Sequence, residues 1–433
     1  MKTMVETAST RLVMTAALLV LIGRGLSFAA PVARIEVEGA KTRPDVILAL
    51  LDTRVGAEFD KAVWEQDLRR LRNLDYFYDV EGVVDESGGK VELRLRLRNK
   101  FSTLPVFKFK SGGGASLFTA GLYEINFLDR LLEVGGQYER FNGKPGQVLW
   151  FRHPYFLSRR NRLGTEVLVH TVNLPLLTDK GVEEAFFENK ETRWNGRLQR
   201  ELGEALRVTA EIGVYRNEFT RDDATPAKTA SNDRFLLSTT LRSGRTVSVT
   251  PSVSVGRLDR DRHFVAGHEG FAQVELAHRA LGSSFAFAKG QVGATGGWRA
   301  AERWNLVYQA RLGSKTGREF QHKFYLGGLD TARGFLDRQF RGEHMWLLNL
   351  EARPTLVDRP RWVLQGALFT DVAKTWDARN FGVDGFGRPI ISYGAGARVI
   401  FPRVYRAILR LDAARTERPV RQVGVNLGLQ QFF

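Results

Sequence analysis

The feature that most restricts the fold is a period of two running through residues 101–433. In Leu206–Val214, Leu206, Val208, Ala210, Ile212 and Val214 fall on one face, with Arg207, Thr209, Glu211 and Gly213 on the other. Val247, Val249, Val253 and Val255 alternate with Ser248, Thr250, Ser252 and Ser254, and Ile391, Tyr393, Ala395, Ala397, Val399 and Phe401 with Ser392, Gly394, Gly396 and Arg398. Successive side chains of a strand point to opposite faces, so these are strands with one apolar face. A water-soluble sandwich alternates in the same way. Two properties select a membrane barrel instead. Segments of about ten residues match the span of a tilted transmembrane strand. Their polar faces carry charges such as Arg406, Arg410 and Asp412, which suit a wet lumen rather than a packed core. With no internal run of about 18 apolar residues, a bundle of transmembrane helices is excluded.

Candidate strands begin near residues 103, 115, 131, 146, 162, 189, 204, 233, 246, 269, 283, 301, 343, 361, 390, 404 and 421. Single-chain bacterial barrels have even strand numbers, so the expectation is sixteen, with residues 233–242 a loop hairpin segment or part of a neighbouring strand. The last candidate places Val423, Val425, Leu427, Leu429 and Phe433 on one face. A terminal aromatic after such a strand is the usual recognition signal of outer-membrane barrels.

The N-terminus reads as an export signal over residues 1–30: Lys2 and Arg11 supply positive charge, Leu12–Gly23 is apolar, and Ser27-Phe28-Ala29 offers a cleavage site. Export and the absence of cysteine suit a Gram-negative envelope protein. The chain carries a net charge of +16, and residues 101–433 hold 48 basic against 33 acidic side chains. For an exported chain, anionic lipid headgroups, lipopolysaccharide or a basic lumen are the expected partners of that charge, and nucleic acid is not.

Residues 31–100 have a different texture. Val32–Val37 alternates and ends in a turn at Glu38-Gly39-Ala40. Pro44–Leu51 has helical spacing and stops near Gly56. Asp60 caps a second helix in which Val63, Trp64, Leu68 and Leu71 recur at three- and four-residue spacing. Tyr76–Val84 and Val91–Leu97 complete two strands around a Gly88-Gly89 turn. The resulting β-α-α-β-β order, with LDYFYDV entering the second strand and VELRLRLRN as the last, resembles a POTRA domain. The resemblance implies capture of unfolded polypeptide by strand addition to a sheet edge.

The longest stretch without a convincing strand, residues 314–342, contains YLGGLDTARGF (Tyr325–Phe335). Here the chain resembles the BamA/TamA superfamily of outer-membrane assembly and secretion barrels, whose sixth extracellular loop carries GG and an RGF or RGY motif and folds into the lumen. Gly327, Gly328, Arg333, Gly334 and Phe335 match, and five candidate strands follow, as sixteen strands require. An arginine in a confined lumen needs carboxylate partners. Glu351 and Asp371 match positions where the family keeps acidic residues, so Arg333 is expected to bridge to one or both. LDRDRHFVAGHEG (Leu258–Gly270) and FRHPYF (Phe151–Phe156) resemble further family stretches after strands 8 and 4.

Chemistry-bearing motifs are missing. There is no nucleophile elbow, no H-E-x-x-H and no phosphate-binding loop, and Gly112-Gly113-Gly114 opens no helix and reads as a hairpin turn. The seven histidines show no ligand spacing. No enzyme activity, cofactor or metal is expected. The expectation is therefore an all-β membrane protein: a signal over 1–30, a periplasmic POTRA domain over 31–100 and an outer-membrane β-barrel over 101–433. By resemblance it assists insertion of outer-membrane proteins or translocation of polypeptide, with periplasmic or lipoprotein partners. A seam between the first strand (Leu104–Lys110) and the last would admit substrate strands. A passive pore or structural outer-membrane barrel with a docking POTRA domain is the alternative.

Overall fold

The computed structural model describes residues 30–429 apart from 75, 100, 204, 222, 224, 262, 318, 329–330, 378–386 and 402–407. The export signal up to residue 29, Arg406 and Phe433 lie outside the described residues. The chain divides into two units, Met1–Ser102 and Thr103–Phe433.

In the first unit, β1 (Val32–Glu38), α1 (Pro44–Leu50), α2 (Lys61–Asn73), β2 (Phe77–Ser87) and β3 (Lys90–Asn99) follow one another. β3 is central, parallel to β1 and antiparallel to β2, so β1 and β2 are the edges. Asp60 caps α2 by accepting from the backbone N–H of Ala62 and Val63. The apolar stripe of α2, Trp64, Leu68 and Leu71, is buried with Leu93, Leu95 and Leu97 of β3. Gly82 makes room for it: a Cβ there would stand 2.6 Å from a Leu68 methyl and 2.9 Å from the Trp64 ring. Asp67, fully buried, accepts from Asp52 N (2.9 Å), Thr53 N (2.9 Å), Thr53 Oγ1 (2.8 Å) and Arg70 Nη1 (2.7 Å), which ties α2 to the end of α1.

The second unit is a closed antiparallel barrel of sixteen strands. Eleven precede the long loop: β4 (Thr103–Gly112), β5 (Ala115–Phe127), β6 (Leu132–Phe141), β7 (Lys144–His153), β8 (Asn161–Leu177), β9 (Glu183–Glu201), β10 (Leu206–Arg221), β11 (Gly244–Asp261), β12 (Phe264–Ala277), β13 (Phe287–Ala301) and β14 (Trp304–Lys315). The loop holds a short hairpin, β15 (Phe324–Leu326) with β16 (Phe340–Gly342). Five strands follow: β17 (His344–Asp358), β18 (Val363–Trp376), β19 (Ile390–Ile400), β20 (Ile408–Arg418) and β21 (Val423–Leu429). No described helix is long and apolar enough to cross a membrane.

Alternation sorts the wall. Ile212, Val255, Tyr393, Leu409, Leu411, Val423 and Val425 face outward and exposed, whereas Gly213, Ser248, Ser392, Arg398, Arg410 and Asp412 face inward. Two expectations need correction. Residues 233–242 are not strand or hairpin: Pro226–Ser238 forms α3, with Thr225 capping through Lys228 N and Pro226 in the first turn. Arg410 and Asp412 do not line a wet lumen, because the long loop lies over them and both are buried.

The β4–β5, β8–β9, β10–β11, β14–β17 and β20–β21 connections share one rim. There Phe235 of α3 packs edge-on against Phe320 of the long loop (5.2 Å between centroids) and against Phe187 of β9 (5.9 Å), closing an apolar cap. Beneath it, polar side chains of β9–β12, among them Asn195, Glu211, Ser252 and Gln273, line a cavity of about 700 Å³.

Candidate functional site

The long loop enters the lumen in two layers. The upper layer is apolar: Phe324, Leu326, Ala332, Phe335 and Phe340 bury against inward-facing Met345 and Leu347 of β17 and Ala373 of β18. Phe335 meets Phe340 edge-on at 5.0 Å. Further along β17 the inward positions become Asn349, Glu351 and Arg353, and the lower layer is ionic.

Arg333 stands at the junction. Its Nε and Nη2 donate to Asp371 Oδ2 (2.8 Å) and Oδ1 (2.6 Å), its Nη1 donates to Glu351 Oε2 (2.7 Å), and its backbone N–H donates to Asp371 Oδ2 (3.0 Å). The guanidinium lies 3.5 Å from the centroid of Phe369, a cation–π contact inside a dry site. A planar fork matched to two carboxylates on adjacent strands fixes both depth and orientation of the loop, which one lysine could not do. Glu351 also accepts from Arg353 Nε (2.7 Å) and Arg398 Nη2 (2.8 Å), and Arg398 Nη1 donates to Asp412 Oδ1 (2.8 Å), which Arg410 also contacts. Asn349 Nδ2 completes Asp371 (2.8 Å). Gly396 of β19 leaves the space: a Cβ there would lie 2.1 Å from Asp412 Oδ1.

The turn geometry explains the loop glycines. Gly327 (φ +119°), Gly328 (φ +76°) and Gly334 (φ +88°) adopt backbone that L side chains avoid. A Cβ on Gly327 would sit 2.2 Å from Leu336 O. Thr331 Oγ1 closes the turn by accepting from Gly327 N (2.8 Å) and donating to Gly327 O (2.9 Å).

The structure thus brings Arg333, Glu351 and Asp371 together, with Gly334 and Phe335 beside them. Leu427 points outward on β21, away from the cluster, and Leu429 ends that strand opposite Leu409. Sequence reasoning missed Arg353, two residues on from Glu351 along β17, and Arg398 on β19; parity marked both as inward without showing that they reach Glu351. Asn349 had none beyond its parity.

Closed sixteen-stranded wall, inward-folded loop between the eleventh and twelfth strands, and arginine anchor together define a barrel of the outer-membrane assembly and secretion class. Residues 135–429 match the Omp85 superfamily domain and residues 30–100 match POTRA, the surface antigen variable number repeat. The chain belongs to the Omp85 superfamily, whose members serve outer-membrane protein insertion or secretion. Its fold is similar to that of BamA from Haemophilus ducreyi lacking POTRA domains 1–3 (TM-score 0.68, 15% identity, covering 93% of this chain and 84% of that one). It is also similar to CdiB from Acinetobacter baumannii (TM-score 0.66, 13% identity, 93% and 74%) and CdiB from Escherichia coli (0.64, 11%, 93% and 76%). Comparison with curated proteins gave no match.

Proposed function

We propose that the chain sits in the outer membrane of a Gram-negative bacterium, its POTRA domain in the periplasm, and hands unfolded polypeptide to or across that membrane. The carrying observation is the β21–β4 seam. Among the described residues its ladder consists of Leu427↔Ser111 and Gly428↔Lys110, whereas β4 and β5 pair from Thr103↔Glu124 to Gly112↔Ala115. A substrate strand takes the place of β21 by pairing with the same backbone N–H and C=O groups of β4, and the edges of β1 or β2 offer the same chemistry for capture. Free energy comes from substrate folding and burial in lipid, without nucleotide. Arg333, Gly334, Phe335, Glu351 and Asp371 act as the lock that holds the loop in the lumen, Gly327 and Gly328 as its turn. The β21 side chains Leu427 and Leu429, with Phe433, act as the chain's own assembly signal. Lipopolysaccharide and phospholipid headgroups meet the basic barrel, and periplasmic or lipoprotein partners dock on the POTRA domain. The polar cavity beside β9–β12 favours a second reading, a passive pore.

Depletion of the protein followed by quantitative profiling of the outer membrane separates them. Loss of particular barrel proteins or secreted chains supports the proposal. Unchanged composition with altered solute permeability supports the pore.

A further inference from the structure

Three glycines from separate parts of the barrel meet at the rim of the seam. Continuing the seam register brings Val425 opposite Gly113 and Gly424 opposite Gly114, where β4 has already turned into β5. The loop occupies that gap. On one side Asp337 N donates to Gly113 O (2.8 Å), and a Cβ on Gly113 (φ +60°) would stand 2.6 Å from Phe335 O. On the other, Gln422 Nε2 donates to Gly334 O (2.9 Å), and a Cβ on Gly424 would stand 2.8 Å from Gly334 Cα. Gly334 is further confined, since its own Cβ would lie 2.9 Å from Thr416 Cγ2 and 3.1 Å from Ala414 Cβ.

We infer that residues Gly334–Asp337 form a clasp across the seam, with Gly113, Gln422 and Gly424 as the positioning residues through which the loop holds β4 beside β21. The two halves of the clasp are unequal. Gly334 adjoins Arg333, which is anchored to β17 and β18, and touches β20, β21 and Gln422 in the connection between them. At the seam the β4 side is held by Gly113, and further round the wall Gln339 and Arg341 tie the loop to Asp179 O, Leu177 O and Glu184. Opening therefore breaks the Asp337–Gly113 hydrogen bond, and Gln422, by fixing Gly334 O, sets where Asp337 N stands to make it. The seam's resistance to opening is set by this contact together with the β21–β4 ladder, so a substrate strand that displaces Gly113 gains access to β4.

The test reads the seam directly, without substrate, so its failure leaves the polypeptide-handling proposal standing. Full-length protein in phosphatidylcholine vesicles is followed by amide hydrogen exchange, comparing peptides over 104–112 and 423–429 with peptides from β8, β9, β17 and β18. Exchange through local opening reports the open population. Gln422→Ala removes one hydrogen bond and should raise exchange in both seam segments about fivefold, the ratio one such bond supports. Gly113→Ala should raise it at least as much. Gly143→Ala is the control: Gly143 has φ +81°, sits in the β6–β7 turn and has nothing within 4 Å of a Cβ, so it carries the same backbone strain without the loop contact. Seam exchange in Gln422→Ala equal to that of Gly143→Ala overturns the clasp, as does a rise spread evenly over all strands. If Gly113→Ala does not fold, Gln422→Ala decides alone.

Discussion

Replacing Arg333 by alanine should free the loop while leaving the wall intact, and the ion cluster says where the cost falls. Glu351 keeps Arg353 (2.7 Å) and Arg398 (2.8 Å) after the substitution. Asp371 keeps the side-chain amide of Asn349 (2.8 Å) but loses its bidentate cation, and it is buried. Removing one partner of a buried pair costs about 3–5 kcal/mol. That penalty favours loop release, so the released population should grow by roughly two to three and a half orders of magnitude. The chain has no cysteine, and Ala332, 1% exposed beside Arg333, is a clean reporter: Ala332→Cys should be labelled by a thiol reagent only when the loop leaves. The expected result is a labelling rate raised by about a hundredfold or more in the Arg333→Ala background. Adding Asp371→Asn removes the stranded charge and should recover about 1–3 kcal/mol of the loss. A labelling rate within about tenfold of the parent, or no recovery with Asp371→Asn, refutes the reasoning that Arg333 pins the loop through that carboxylate.

Two further outcomes follow. Asp67→Ala takes the acceptor from Asp52 N, Thr53 N and Thr53 Oγ1, while Arg70 keeps Leu50 O and Asp52, and should cost about 3 kcal/mol, comparable with the whole stability of a domain this small. Urea unfolding of residues 31–100, followed by the fluorescence of its single tryptophan, Trp64, should show a largely unfolded variant at zero denaturant; an unchanged midpoint counts against it. His322, in the loop just before β15, stacks on Phe287 at 4.3 Å, and burial together with the nearby positive charges of Lys289 and Lys315 lowers its pKa to about 3. Because the released loop binds a proton at higher pH than the docked one, docking should weaken as pH falls from about 6.5 toward 3. Ala332→Cys labelling should therefore accelerate on acidification over that range. The acceleration should shrink with His322→Phe, and equal pH profiles for the two chains would contradict it.

What the sequence revealed and concealed follows from the range of each interaction. Strand alternation is a local property imposed by lipid on one side, so sixteen of the seventeen candidate starts lie within a few residues of real strands. The seventeenth failed because loop residues answer to the cap they build: Phe235 serves the contact with Phe320 and Phe187, and the Thr225-Pro226 helix start was the signal overlooked. The short β15–β16 hairpin was equally hidden, since three-residue strands have too little length to show a period. In the site, Arg333, Glu351 and Asp371 were found through motif resemblance. Arg353, Arg398, Arg410 and Asp412 join them only because barrel closure brings β17 to β20 around one loop, a relation no local window contains. Gly113 reads as part of a hairpin turn, and only the folded loop shows what approaches it and Gly424.

In the proposed function polypeptide leaves through the β4–β21 seam. Ser111 and Leu427 face each other in its ladder, and in a chain without cysteine the pair Ser111→Cys with Leu427→Cys can be closed by oxidation. With the disulfide formed in cells that depend on this variant, the barrel proteins or secreted chains lost on depletion should be lost again, and should return when reductant reopens the seam. Normal delivery through a fully cross-linked seam would contradict it.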